Sequence, residues 1–182
     1  MANMTMHVII DGYNLLGVRG HIGATRTGEG ERAREELIRN LSRYRERKGY
    51  NVTVIFDAWR EQGGLEHHEH RTGVEVIFTR SGERADQVIQ RMASQWGKGC
   101  AVVSSDHEVM NSARAHGAFV MKSQEFQGKL KMMAYGSGAQ AHYDALAEKH
   151  DEDEVPLRPD KKGNPRKLPK SLRNRNKKLK GF

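Results

Sequence analysis

Four aspartates in this chain stand at the ends of short apolar runs or one turn into the helix-like segment that follows. Asp11 closes HVIID and precedes Gly12, Asp57 follows VTVIF, Asp106 lies just beyond CAVVS, and Asp86 falls in the first turn after VEVIFT. If these runs are neighbouring parallel strands, all four carboxylates gather at the carboxyl edge of one sheet, where open α/β sheets bind their ligands. Such a cluster suits a hard divalent cation, because Mg²⁺ takes a few carboxylate oxygens and keeps waters. Without the cation the like charges raise one another's pKa. Each acid has a plainer explanation as well. Asp106 follows Ser105 in an S-x-x-E capping pattern that ends at Glu108. Asp86 reads as a solvated helix-face acid near Gln90 or Arg91, and Asp57 as the cap of the next loop. Asp11 resists such treatment, since an acid ending a buried strand is unfavourable unless something binds it. The shared position of all four favours a metal site over separate caps.

Other candidates carry less. His67-His68-Glu69-His70 resembles a metal tract but lacks a second ligand group at structural-zinc spacing, and it reads as a solvated loop. Gly28-Glu29-Gly30 has neither a Walker ending nor the dinucleotide fingerprint. No serine nucleophile elbow and no Cys–His arrangement stands out. The single cysteine, Cys100, excludes an internal disulfide and reads as a small buried side chain in a strand.

The elements that must position the acids follow from periodicity. Five apolar runs read as strands: His7–Asp11, Asn51–Ala58, Val74–Thr79, Cys100–Ser104 and Ala118–Met121. Between them, Gly28–Lys48 carries Ala33, Leu37, Ile38, Leu41 and Tyr44 on one helical stripe. Glu83–Trp96 does the same with Ala85, Val88, Ile89, Met92, Ala93 and Trp96, which leaves Asp86 off the stripe and free to face the sheet edge. A short helix up to His116 follows Ser105, another starts near Ser123, and a last one is expected near Ala139–His150. Strands apolar on both faces and alternating with helices predict a mostly parallel sheet covered on two sides.

Charge divides the chain unevenly. The 182 residues carry a formal net charge of +8, a value typical of a polyanion-binding protein. Val155–Phe182 holds eleven Lys or Arg against Asp160 alone, whereas Met1–Glu154 has a net charge of −2. Residues 1–150 are therefore expected to form the folded domain, and 151–182, with all four prolines between Pro156 and Pro169, a basic tail that is disordered in isolation. No apolar run is long enough to span a bilayer and no secretory signal opens the chain. A soluble cytoplasmic protein is expected.

Taken in order, Asp11-Gly12-Tyr13-Asn14, Val54-Ile55-Phe56-Asp57-Ala58, Val74–Thr79, Ala85-Asp86 and Ser104-Ser105-Asp106 resemble the NYN domain, in particular its YacP-like branch, a relative of the PIN nuclease fold. The resemblance covers roughly Val8 to Ser123. It implies a three-layer α/β fold with a central sheet of about five strands, and a metal-dependent endoribonuclease that hydrolyses RNA phosphodiester bonds. One branch of the family acts on mRNA at the ribosome, so mRNA or rRNA and the ribosome are the implied partners. Asp11, Asp86 and Asp106 become the metal ligands for Mg²⁺ or Mn²⁺, with Asp57 beside them and Asn14 orienting a water or a phosphate oxygen. Ser105, Arg84 and Lys122 become RNA contacts, and Lys122-Ser123 match a family pattern. The chain departs from the ribosome-associated branch after Ser123, and its basic tail is an addition. Arg26, Arg71 and Arg80 are further cations expected near the active edge, and the tail is the expected source of salt-sensitive RNA affinity. The alternative is a non-catalytic RNA- or ribosome-binding protein that keeps the fold. Phosphotransfer enzymes and receiver domains fit less well, because the first strand lacks Asp-x-Asp and VTVIFDA supplies one acid only.

Overall fold

The computed structural model describes residues 5–18, 28–57, 65–135 and 170–182. They fall into two units, one within Met1–Ser137 and one within Gly138–Phe182. In the first unit the elements run β1 (His7–Asp11), α1 (Gly12–Val18), α2 (Gly28–Lys48), β2 (Asn51–Phe56), β3 (His67–Arg71), β4 (Val74–Phe78), α3 (Ala85–Trp96), β5 (Cys100–Val103), α4 (His107–Ala115), β6 (Phe119–Met121) and α5 (Ser123–Tyr135). The sheet order is β3-β4-β2-β1-β5-β6. Every pairing is parallel except β3 with β4.

The sheet lies between two helical layers. On one face Ile9, Ile55, Ile77, Val102 and Val120 pack with Val88, Ile89 and Ala93 of α3 and Val109, Met110 and Ala113 of α4. On the other, α1, α2 and α5 pack on one another, and α2 also rests on β2 and β4. Tyr44 of α2 meets Phe126 of α5 edge-on there. The predicted stripe of α2 is buried throughout, at Ala33, Leu37, Ile38, Leu41 and Tyr44. Cys100 is buried as expected; its thiol donates to the carbonyl of Gly97 at 3.3 Å, and burial pushes its pKa up to about 11.

The structure departs from the sequence reading in four places. His67–Arg71 is a sixth strand, not a loop. Thr72 and Gly73 both take positive φ, 49° and 80°, the backbone of a tight two-residue hairpin that folds β3 onto β4. The strand lacks an apolar face because it forms the sheet's solvated edge, and its side chains pair instead: His68 lies between Glu66 and Glu75 at 2.8 and 3.2 Å. The cap of α4 is Asp106, one residue later than the serine in the capping pattern. Trp96, expected on the buried stripe, is 42% exposed: it is the last residue of α3, and its indole meets His7, the first residue of β1. In the second unit Lys170–Gly181 form a helix, α6, where disorder is expected; every proline precedes it, so nothing in its composition interrupts helical hydrogen bonding. The helix expected near 139–150 lies outside the described residues, as does Arg26. No helix among the described residues is long and apolar enough to cross a membrane.

Candidate active site

The parallel strands deliver Asp11, Asp57 and Asp106 to one edge of the sheet, and α3 begins there with Asp86 in its first turn. Gly12 makes the start of the site possible. A Cβ on it would lie 2.3 and 2.5 Å from ring carbons of Phe56 and 2.9 Å from the Ile55 carbonyl. Only glycine lets the chain turn from β1 into α1 that close to β2.

Asp11 is 7% exposed. Its Oδ1 accepts the Asn14 amide at 3.0 Å, and its Oδ2 accepts the Ser104 hydroxyl at 3.2 Å. Burial raises its pKa to about 6; these two hydrogen bonds oppose the rise, and the charges of Asp86 and Asp57 add to it. Asp86 is raised as well, first by burial; the Arg84 guanidinium, 2.7 Å away, opposes the rise, while Asp106, Asp57 and Glu108 reinforce it. The acids therefore act on one another across the edge. Three of them also hold helices, Asp11 through the Asn14 amide in the first turn of α1. Asp57 Oδ1 accepts the Ala85 amide at 2.5 Å, and Asp106 Oδ1 accepts the amides of Glu108 and Val109 at 2.8 and 3.1 Å. That use occupies one oxygen of each carboxylate and aims the group at a helix N-terminus, where negative charge is favoured.

Asn14 is fixed from two sides. Its Oδ1 accepts the Ser105 amide at 2.9 Å and the Ser123 hydroxyl at 2.6 Å. Because the Ser105 N–H can only donate, the accepting atom is the oxygen, and the amide –NH₂ is left as the donor side. Ser105, expected at the RNA, is engaged internally: its amide serves Asn14 and its hydroxyl donates to Gln124 Oε1 at 3.0 Å while accepting the Ser123 amide at 3.2 Å. Ser123 likewise spends its hydroxyl on Asn14. Ser104, which the sequence reading passed over as a site residue, bridges two acids by donating to Asp11 and accepting the Asp106 amide at 3.1 Å. Its signal was a polar residue ending a fully buried strand.

The cations divide. Arg84 is ion-paired to Asp86 and Arg80 to Glu83. Lys122 follows β6 at the same edge, where its amide donates to Glu125 Oε2 at 2.9 Å. Arg71 is elsewhere: β3 runs antiparallel, so Arg71 faces Val74 at the start of β4 and pairs with Glu35 and Glu69. Among the described residues no three His, Cys, Asp or Glu side chains close into a ready-made metal cage. The donor set still fits Mg²⁺, which binds through one or two carboxylates and retains waters. Buried Asp11, repelled by neighbouring acids, is the group such a cation would relieve.

A mostly parallel sheet between helical layers, with carboxylates at its carboxyl edge, is an architecture that the PIN-like nuclease superfamily shares with other α/β folds. Within that class, residues 8–168 match the YacP-like NYN domain, and the chain belongs to that family. It is 36% identical over 86 residues to the uncharacterized protein YacP of Bacillus subtilis (strain 168), a match covering 47% of this chain and 50% of YacP. The chain thus spans about half the length of the curated relative it matches. Its fold is similar to the crystal structure of a point mutant of Rae1 (YacP) from Bacillus subtilis, with a TM-score of 0.59 and 25% identity, covering 82% of this chain and 87% of that one. A second crystal structure of Rae1 (YacP) from the same organism gives a TM-score of 0.58 and 26% identity, with coverage of 78% and 79%.

Proposed function

We propose that the chain is a metal-dependent endoribonuclease whose reaction takes place at the carboxylate edge. The observation that carries this reading is the buried Asp11, held in one orientation by Asn14 and Ser104 and surrounded by the charges of Asp57 and Asp86. Asp11, Asp86 and Asp106 would hold Mg²⁺ or Mn²⁺, directly or through waters. When bound, the ion supplies an acidified water and neutralises charge on the scissile phosphate. The chain's own residues do the rest. Asn14 offers its –NH₂ to a phosphate oxygen or to the attacking water. Arg84 exchanges Asp86 for a phosphate oxygen, and Lys122 adds positive potential. With water as nucleophile the products carry 5′-phosphate and 3′-hydroxyl ends; a 2′,3′-cyclic phosphate would contradict the mechanism.

The test compares wild type, Asp11→Asn and Asp86→Asn on structured and unstructured RNA with Mg²⁺, Mn²⁺ or EDTA. Both variants and EDTA should abolish cleavage, and equal cleavage by all three proteins would sink the assignment. The helix-capping roles of Asp57 and Asp106 favour a second reading, a non-catalytic RNA-binding protein. RNA binding without cleavage under every metal condition selects it. Cleavage of mRNA at the ribosome in the cytoplasm is the narrower form of the first reading. It is supported by the ribosome-associated branch of the family and by the acid-free helix α6, and co-sedimentation with ribosomes tests it.

A further inference from the structure

We propose that the opposite edge of the sheet is an RNA-holding surface, in which Trp96 stacks a base while Lys98, Arg114 and His116 take backbone phosphates. This rests on RNA being the substrate. Helices α3 and α4 connect parallel strands, so both run antiparallel to the sheet and end at the edge away from the carboxylates. Their last turns touch. A Cβ on Gly97 would lie 3.2 Å from the His116 carbonyl, and one on Gly117 would lie 3.2 Å from Lys98 Cγ.

Trp96 is one of two large exposed hydrophobic residues among those described. It is not loose: its ring centroid lies 4.8 Å from that of His7 at 59°, and His7 is 93% buried (7% exposed). The indole is thus braced against a buried ring while 42% of the residue stays exposed. Lys98, Arg114 and His116 are all exposed in the two segments that meet there, and neither Trp96–Gly99 nor Ala113–Gly117 contains an acid. The Nδ1–H of His116 donates to the Ser112 carbonyl at 2.9 Å, which turns Nε2 outward. Cations at helix C-termini offset the helix dipole and need no ligand to explain them. A braced, partly exposed indole at the same edge is not explained that way. An aromatic platform beside cations is what single-stranded nucleic acid binds, because every base has a stacking face. The surface also answers a need: phosphates are repelled by the carboxylate edge, and residues up to Glu154 carry a net charge of −2.

The test uses the full chain in EDTA with a fluorescein-labelled single-stranded RNA oligonucleotide, read by anisotropy across a KCl series. Lys98→Glu/Arg114→Glu, both at exposed positions, should weaken binding at least about tenfold and flatten the log–log salt slope by about 1.4, from roughly 0.7 per lost phosphate contact. Trp96→Ala should lose about tenfold, and Trp96→Phe should keep most of the affinity. In a Trp59→Phe background, which leaves Trp96 the only tryptophan, RNA should quench the indole fluorescence. Unchanged affinity and slope in the charge-reversed protein, or no quenching, overturns the surface. If wild type cleaves RNA while the charge-reversed protein binds normally, the surface falls and the nuclease stands. If no metal supports cleavage but charge reversal weakens binding, the nuclease falls and the surface stands.

Discussion

The two edges of the sheet are built by one rule and used in opposite ways. Helices that return antiparallel to parallel strands place their N-termini at the carboxyl edge and their C-termini at the other. Acids at N-termini and cations at C-termini both complement the helix dipole. Asp57, Asp86, Asp106 and Glu108 on one side, and Arg114 in the last turn of α4 on the other, follow that pattern. A body of nearly neutral net charge is therefore polarised along its strands. The difference lies in burial. The cations are exposed and solvated, while Asp11, although it accepts the Asn14 amide in the first turn of α1, is buried beside other acids.

Asp11 therefore gives the largest expected effects. Asp11→Asn should abolish cleavage and also stabilise the metal-free protein. Because its folded-state pKa lies above the ordinary carboxylate value, the folded chain holds this proton more tightly than the unfolded one. The Asp11 contribution is thus most favourable below the ordinary value of 3.8 and is lost as pH rises through about 6, a difference of about 3 kcal/mol for the shift. Urea unfolding in EDTA should find the variant equal to wild type near pH 4 and more stable near pH 8. Mg²⁺ should stabilise wild type at pH 8 and leave the variant unmoved. A constant difference across pH would show that Asp11 is not the strained group, and the contrast between the edges would lose its basis.

Gly12→Ala follows. The new Cβ would meet the Phe56 ring, which cannot swing away, being fully buried between Tyr13 and Phe78. We expect a loss of about 1–3 kcal/mol from overpacking, seen as a lower urea midpoint at unchanged slope. A neutral result would mean that β1 and α1 can separate from β2, and that the carboxylate edge is softer than its hydrogen bonds imply.

Much of this was readable in the chain because it is local. Apolar runs that stop at an aspartate announce both a strand and its exit, so the positions of Asp11, Asp57, Asp86 and Asp106 at one edge follow once the sheet is parallel. The edge strand β3 escaped because HHEHR shows no apolar alternation; the sign that mattered was Thr72-Gly73, whose positive φ values make a hairpin. The partners of the site escaped for another reason. Ser104 reaches Asp11 across 93 residues and Ser123 reaches Asn14 across 109, and no spacing encodes such pairs. Trp96 sits in register with Met92 and Ala93, yet it ends α3 against the first residue of β1, and periodicity does not show how much of a terminal side chain its neighbours cover.

Ser123→Ala tests one of those long-range pairs. It removes one of the two hydrogen bonds that orient the Asn14 amide while leaving the –NH₂ in place. Stability should fall by about 1 kcal/mol, and kcat should fall with little change in KM. Combined with Asn14→Ala it should add almost nothing further, since both act through one group. Additive losses would mean that Ser123 serves the fold and not the asparagine.

The smallest effect separates the edges most cleanly. If the cations of the basic edge owe their stability only to helix C-termini, Arg114→Ala should cost about 0.3–1 kcal/mol at low ionic strength. The hydrogen bond from Arg114 to Asn111, 3.0 Å long and exposed, adds little to that. The loss should vanish in high salt, because an exposed charge is screened within a Debye length. The Asp11 effect, arising from a buried group, should survive the same salt. A salt-resistant loss at Arg114 would make the basic edge a structural support like its counterpart, whereas a salt-sensitive one leaves its cations free for phosphates.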